Sequence, residues 1–281
     1  MGSNRIAILP RVSNFICVTC GTQFEDTGEA PPGHCPICED ERQYIGPGGQ
    51  RWTTLDELRE GHHNEFRRQE DRLVGIGTAP SFAIGQRALL VQSPTGNVLW
   101  DCVSLLDEFT ERLVTDLGGI AAIAISHPHY YSSLAEWSAA FEAPVYLHAS
   151  DRQWVMRSSP SIVHWEGDEL ELHDGMRLIN AGGHFEGGTV LHVPFLAEGR
   201  SALLSGDVIQ VIPDGRFVSF MYSYPNLIPL SRASVERIAA SVAGLKFDRI
   251  YGAWWDRVIP SGGNEVVARS AQRYARAVGG G

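Results

Sequence analysis

Residues 120–132 read IAAIAISHPHYYS: six consecutive apolar side chains, then Ser126, then His127 and His129 on either side of Pro128. A short continuous apolar run of this kind predicts a strand buried on both faces. The two histidines follow directly, and a strand end that feeds a short loop and then a helix is where α/β proteins place ligands. At i and i+2 on extended chain, two imidazoles can face one ion.

Two more segments share this form. Gly182-Gly183-His184-Phe185-Glu186-Gly187-Gly188 follows a strand expected over residues 176–181, and Ser205-Gly206-Asp207 follows one expected over 201–205. Three imidazoles and a carboxylate delivered by separate strand ends make a metal set.

Around these segments the pattern alternates. Strands are expected over Leu73–Gly77, Ser81–Ile84, Ala88–Gln92 and Asn97–Asp101, with Pro94-Thr95-Gly96 as a hairpin turn. Helices follow near 107–117, 133–142 and 151–157, with a strand at Val145–His148 between the last two. The second half repeats the plan, with strands near 169–172, 176–181, 189–193, 201–205 and 217–220. A helix near 231–244, a strand at Arg249–Tyr251 and a helix near 264–278 close the chain. Two sheet halves, each followed by helices, predict an α/β chain folded as a four-layer αββα sandwich over residues 72–281.

Upstream, Cys17-Val18-Thr19-Cys20 and Cys35-Pro36-Ile37-Cys38 are two CxxC pairs 14 residues apart. Each pair points two thiolates at one ion, and four thiolates complete a tetrahedral shell. Residues 1–50 lack helical periodicity, and this stretch resembles a rubredoxin-like or zinc-ribbon module. Such tetrads accept zinc or iron; a structural zinc is expected, because metal binding would fold a segment with so little core. Residues 51–71 are expected to be a helical connector, with a polar helix over 53–70 and Thr54 and Glu57 as a capping box.

The larger domain resembles the metallo-β-lactamase-fold superfamily over roughly residues 72–260. His127 and His129 match the first two histidines of its HxHxDH motif, His184 its GHxxG histidine and Asp207 its bridging aspartate. IGQRALLVQSPTGNVLWDC, residues 84–102, resembles its opening hairpins. The chain departs from the pattern at Tyr131 and Ser132, which replace the motif's aspartate and second-site histidine, and at Tyr251–Asp256, where the last histidine is missing. The departures from that pattern therefore predict one ion, zinc or iron, at the histidine site, or none, but not two.

Three neutral imidazoles leave a divalent ion one open position and lower the pKa of its water toward ~7. The expected activity is hydrolysis, with hydroxide attacking an ester, thioester or lactone carbonyl of a small molecule. Asp207 is expected to orient the water, Tyr130 or Tyr131 to donate to the developing oxyanion, and Trp254 and Trp255 to wall off the place of the missing ion. Two alternatives remain: a catalytically degenerate binding or scaffold protein of the same fold, and an iron-dependent redox protein.

A net charge of −10 argues against nucleic acid and anionic membranes as partners. No apolar run reaches 18 residues, so a soluble, cytoplasmic protein is expected. A ribbon outside the main core offers a surface for a homo-oligomer. His148 and His192 read as structural histidines with backbone partners, His164 and His173 as surface, the His62-His63 pair as a solvated helix face, and Cys102 as a small hydrophobe.

Overall fold

Strand Arg87–Val91 is buried along its whole length and sorts its side chains by parity. Ala88 and Leu90 enter one hydrophobic cluster, Leu89 and Val91 another. Successive residues of a strand point to opposite faces, so this strand is covered on both sides. Strand Ala202–Gly206 behaves likewise: Leu203 faces one cluster while Ala202 and Leu204 face the other.

The computed structural model describes residues 14–196 and 199–279; residues 1–13 of the expected ribbon segment lie outside them. A seven-stranded sheet runs in sequence order through His63–Glu70, Leu73–Ala79, Arg87–Val91, Val98–Trp100, Ala122–Ala124, Val145–His148 and Ile162–Trp165. Its first four strands are antiparallel and the rest join in parallel. A six-stranded sheet follows, through Glu169–Glu171, Arg177–Asn180, Thr189–Val193, Ala202–Gly206, Arg249–Gly252 and Val258–Ile259. Leu89, Val98 and Trp100 of the first sheet meet Leu178, Leu191 and Leu204 of the second. Trp137 and Leu134, on helix Leu134–Phe141, cover the first sheet's outer face. Ile238 and Val242 of helix Arg232–Ala243, with Val266 and Ala271 of helix Gly263–Val278, cover the second. These are the four layers of an αββα sandwich. No helix among the described residues is long and apolar enough to cross a membrane.

Four expectations are corrected. The connector helix spans only Leu55–Gly61; its capping box is present, with Glu57 N donating to Thr54 Oγ1 and Thr54 N to the Glu57 carboxylate. His63–Glu70 is a strand pairing with Leu73–Ala79, so the sandwich begins before residue 72. A polar edge strand buries one thin face and reads by composition like a polar helix; tertiary pairing decided it. Residues 81–84 form a loop with Ala83 at φ 51°, not a strand. Trp255 lies flat on the glycine face of Leu73–Ala79, where a Cβ at Gly75 or Gly77 would come within 2.7 Å of its ring, and Trp254 Nε1 donates to Ile84 O. Neither indole joins the three histidines.

The ribbon is small. Ile16–Cys17 pairs with Trp52–Thr53, and Pro36–Glu39 makes a single helical turn. Its core is the four cysteines with Phe24 and Ile37, packed against Trp52, Trp154 and Met156 of the chain beyond.

Candidate metal centres

The four cysteines are buried and free of disulfides, and their sulfurs lie within 4.8 Å of one another. Cys17 Sγ and Cys38 Sγ are 3.5 Å apart, Cys20 Sγ and Cys35 Sγ 3.7 Å. The tetrahedral edge for metal–sulfur bonds near 2.3 Å is about 3.8 Å, so the cluster fits one ion. Hydrogen bonds from its three neighbours pull the Cys17 thiol far below its ordinary range, while those same bonds to Cys17 push Cys20 and Cys38 up. Four thiolates cannot coexist here without a cation.

The second centre is built at three loops. His127 leaves strand Ala122–Ala124 through Ile125 and Ser126, and Pro128–Tyr130 turns as a 3-10 helix that brings His129 back. His184 follows strand Arg177–Asn180, on a loop that Gly182 and Gly183 shape at φ 65° and 87°. Gly188 closes that loop: a Cβ there would lie 2.8 Å from Gly182 O. Asp207 follows Ala202–Gly206 directly.

The structure brings these residues together. His127, His129 and His184 are 1%, 3% and 0% exposed, and one ring nitrogen of each lies within 4.8 Å of the others. His184 Nε2 and His129 Nδ1 are 3.2 Å apart, close to the roughly 3.3 Å edge of a tetrahedral nitrogen site. His184 Nδ1–H donates to Met221 O at 3.1 Å, which leaves the Nε2 lone pair facing inward. Nδ1 of His127 pairs with Ser126 Oγ at 3.0 Å, and its Nε2 has no hydrogen-bond partner. Burial pushes the pKa of all three imidazoliums down, His184 to about 4, so the rings are neutral near pH 7.

Asp207 Oδ1 stands 3.2 Å from His127 Nε2 and makes no hydrogen bond. Burial raises its carboxyl to about 7. The Tyr130 ring centroid is 4.4 Å from that of His127, and its buried hydroxyl interacts with the Asp207 carboxylate. Tyr131 instead lines a small cavity under the ribbon with Thr22, Val155 and Met156. The partnerless His127 Nε2, His129 Nε2 and Asp207 Oδ1, with the neutral His129 and His184 nitrogens at tetrahedral spacing, fit a divalent ion.

Other site residues escaped sequence reasoning. Phe185 places its ring 4.9–5.4 Å from all three imidazole centroids. Arg42, from the ribbon, stacks 3.9 Å over Phe185. Asp101 accepts from Ser126 N at 2.8 Å and is pushed up to about 8 by burial. Tyr224 donates to Asp207 O at 2.6 Å. Only Asp101, a carboxylate ending an apolar strand in VLWDC, left a signal in the sequence. His148 and His192 have the backbone partners expected of them, Gly167 O and Lys246 O, and Cys102 is fully buried in the core.

Among known proteins, a relative from Bacillus subtilis (strain 168), "Uncharacterized protein YmaE", is 51% identical over 266 residues, covering 94% of this chain and 96% of that one. Among solved structures, the DIM-1 metallo-β-lactamase superposes with a TM-score of 0.57 at 13% identity, over 76% of this chain and 98% of that one. SMB-1, a metallo-β-lactamase in complex with mercaptoacetic acid, gives 0.54 at 15% identity, over 76% and 95%. At such identities the structures speak for the fold alone. The family described as Metallo-beta-lactamase superfamily matches residues 83–254, well over half of the chain and inclusive of all four strand-end residues, so the protein belongs to the metallo-β-lactamase superfamily.

Proposed function

We propose that this protein is a mononuclear metal-dependent hydrolase of a small-molecule ester, thioester or lactone, with the ion held by His127, His129 and His184. The observation that carries the reading is the convergence of three buried, neutral imidazoles beside Asp207, with partnerless atoms at the centre. A divalent ion there, zinc in this reading, supplies Lewis acidity and lowers the pKa of water toward ~7.

The chain's own residues supply the rest. Asp207, whose Oδ1 stands 3.2 Å from His127 Nε2, is the carboxylate placed to orient a water at the centre by accepting its proton in a hydrogen bond. The buried Tyr130 hydroxyl, beside Asp207, is the donor for charge developing on a substrate oxygen, a contribution of about 3 kcal/mol when aligned. Tyr131, in this reading, braces the same loop against the ribbon. Ser132 stands where the family's second-site histidine would be, and its hydroxyl donates to Cys102 O and accepts from Gln86 Nε2. A position spent on neutral hydrogen bonds favours one ion over two. The ribbon in this reading carries a structural zinc.

A second reading is a catalytically degenerate binding protein. Phe185 favours it, since its ring rests against the whole histidine triangle and leaves all three rings buried.

Element-resolved metal analysis with a panel of activated esters, thioesters and lactones separates them. About two equivalents per chain are expected, one lost with Cys35→Ser and the other, together with hydrolysis, with His184→Ala. Metal confined to the cysteines in the wild type would sink the hydrolase.

A further inference from the structure

Arg42 belongs to the cysteine ribbon by sequence and to the histidine site by contact. Four residues after Cys38, its guanidinium stacks on Phe185 and its Nη1 donates to His184 O at 3.3 Å. Asp40, midway between them, grips the guanidinium in a side-on pair, with Nε to Oδ1 at 2.6 Å and Nη2 to Oδ2 at 2.9 Å. A bidentate pair of this kind fixes orientation as well as distance.

The same loop is tied down on its other side. Ser223 Oγ donates to Arg42 O at 3.2 Å, and Asn226 Nδ2 donates to Glu41 O and Gln43 O, each at 2.9 Å. Met221, whose carbonyl orients His184, lies on the hairpin that carries Ser223. Trp154 completes the cover: its ring meets Phe185 edge-on at 5.8 Å, lies under Arg42 at 5.3 Å, and packs against the cysteine core. The imidazoles therefore sit beneath Phe185, and Phe185 beneath Arg42.

This cover has little fold of its own. Its secondary structure is a pair of two-residue strands and one helical turn, and most of its core is the four cysteines. A segment so built takes its shape from the ion its thiolates share. Cys38, a member of the tetrad, lies two residues from Asp40, so its position sets that of the latch.

We propose that the ribbon is a metal-dependent roof over the histidine site: an ion on Cys17, Cys20, Cys35 and Cys38 holds the Asp40–Arg42 pair against Phe185 and His184, and loss of that ion, or of the pair, opens the site. The proposal rests on the histidines being the working site and adds the means by which access to them is controlled. The roof is a two-state element, and ribbon occupancy biases it toward the closed state.

Hydrogen–deuterium exchange on the full-length, zinc-loaded chain tests it, read by mass spectrometry at residues 182–188. Three proteins are compared: wild type, Arg42→Ala, which keeps all four thiolates, and Cys35→Ser, which breaks the tetrad. Exchange at 182–188 is expected to rise at least tenfold in both variants, while helix Arg232–Ala243 holds its wild-type rate as the internal control for folding. Arg42→Ala exchanging at the wild-type rate overturns the latch, and Cys35→Ser doing so overturns the metal dependence. A rise that includes the control helix in both variants reports general unfolding and also overturns the proposal. Zinc content of the wild type is measured in parallel. An ion found at the cysteines alone removes the hydrolase while leaving the roof standing or falling on its own exchange data.

Discussion

His127 Nε2 and Asp207 Oδ1 stand 3.2 Å apart, both buried, and neither takes part in a hydrogen bond. Burial lowers the pKa of the imidazolium and raises that of the carboxyl, so each group resists charge where the other would welcome it. A cation bound between them would resolve the conflict.

Replacing Asp207 with Ala is therefore expected to weaken metal binding at the histidine site by about 10–100-fold and to leave the cysteine site loaded. Competition against a chelator of known affinity measures it. Unchanged affinity would remove Asp207 from the ion's surroundings.

Gly206 turns the chain into Asp207 at φ 54°, and a Cβ there would lie 2.7 Å from Ser126 Oγ, the atom paired with His127 Nδ1. Gly206→Ala adds left-handed strain of about 1–2 kcal/mol and pushes on that hydroxyl. Lower stability in urea, together with reduced metal at the histidine site, is the expected pair of results; a loss of stability alone would mean that Ser126 does not hold the ring.

Asp151 accepts from Gly187 N at 3.0 Å and is raised by burial from about 3.8 to about 6. Between these values the native chain binds more protons than the unfolded one, so its contribution is whole below pH ~4 and lost as pH rises through ~6. Asp151→Asn keeps an acceptor for Gly187 and cannot ionise. Its stability relative to wild type should climb between pH 4 and pH 7 by about 2–3 kcal/mol, from a shift of about two units. Chemical denaturation across that range reads the crossing, and a flat difference would refute it.

Thr54→Ala removes one half of the capping box at helix Leu55–Gly61. A loss of about 1 kcal/mol is expected, with metal content untouched at both centres. Denaturant midpoints and elemental analysis on the same samples check the two halves of that statement.

The sequence by itself determined the sandwich and the two clusters of metal-binding residue types. Buried strands advertise themselves as apolar runs, so Ala122–Ala124, Thr189–Val193 and Ala202–Gly206 were legible, and the histidines and Asp207 stood just past the strand ends. The CxxC pairs needed only local turn geometry to be read. His63–Glu70 was not legible as a strand, because a polar edge strand takes its conformation from the neighbour it pairs with.

Tertiary structure alone decided what surrounds the three histidines. Trp254 and Trp255 went to Ile84 and to the Gly75–Gly77 face, Tyr131 went under the ribbon, and Phe185 and Arg42 came to the histidines instead. Ligand residues are visible in sequence because metal chemistry restricts their type and spacing. A cover assembled from a carbonyl at Met221, a ring at Phe185 and a guanidinium more than a hundred residues away obeys no such restriction; the docking of the ribbon on the sandwich creates it.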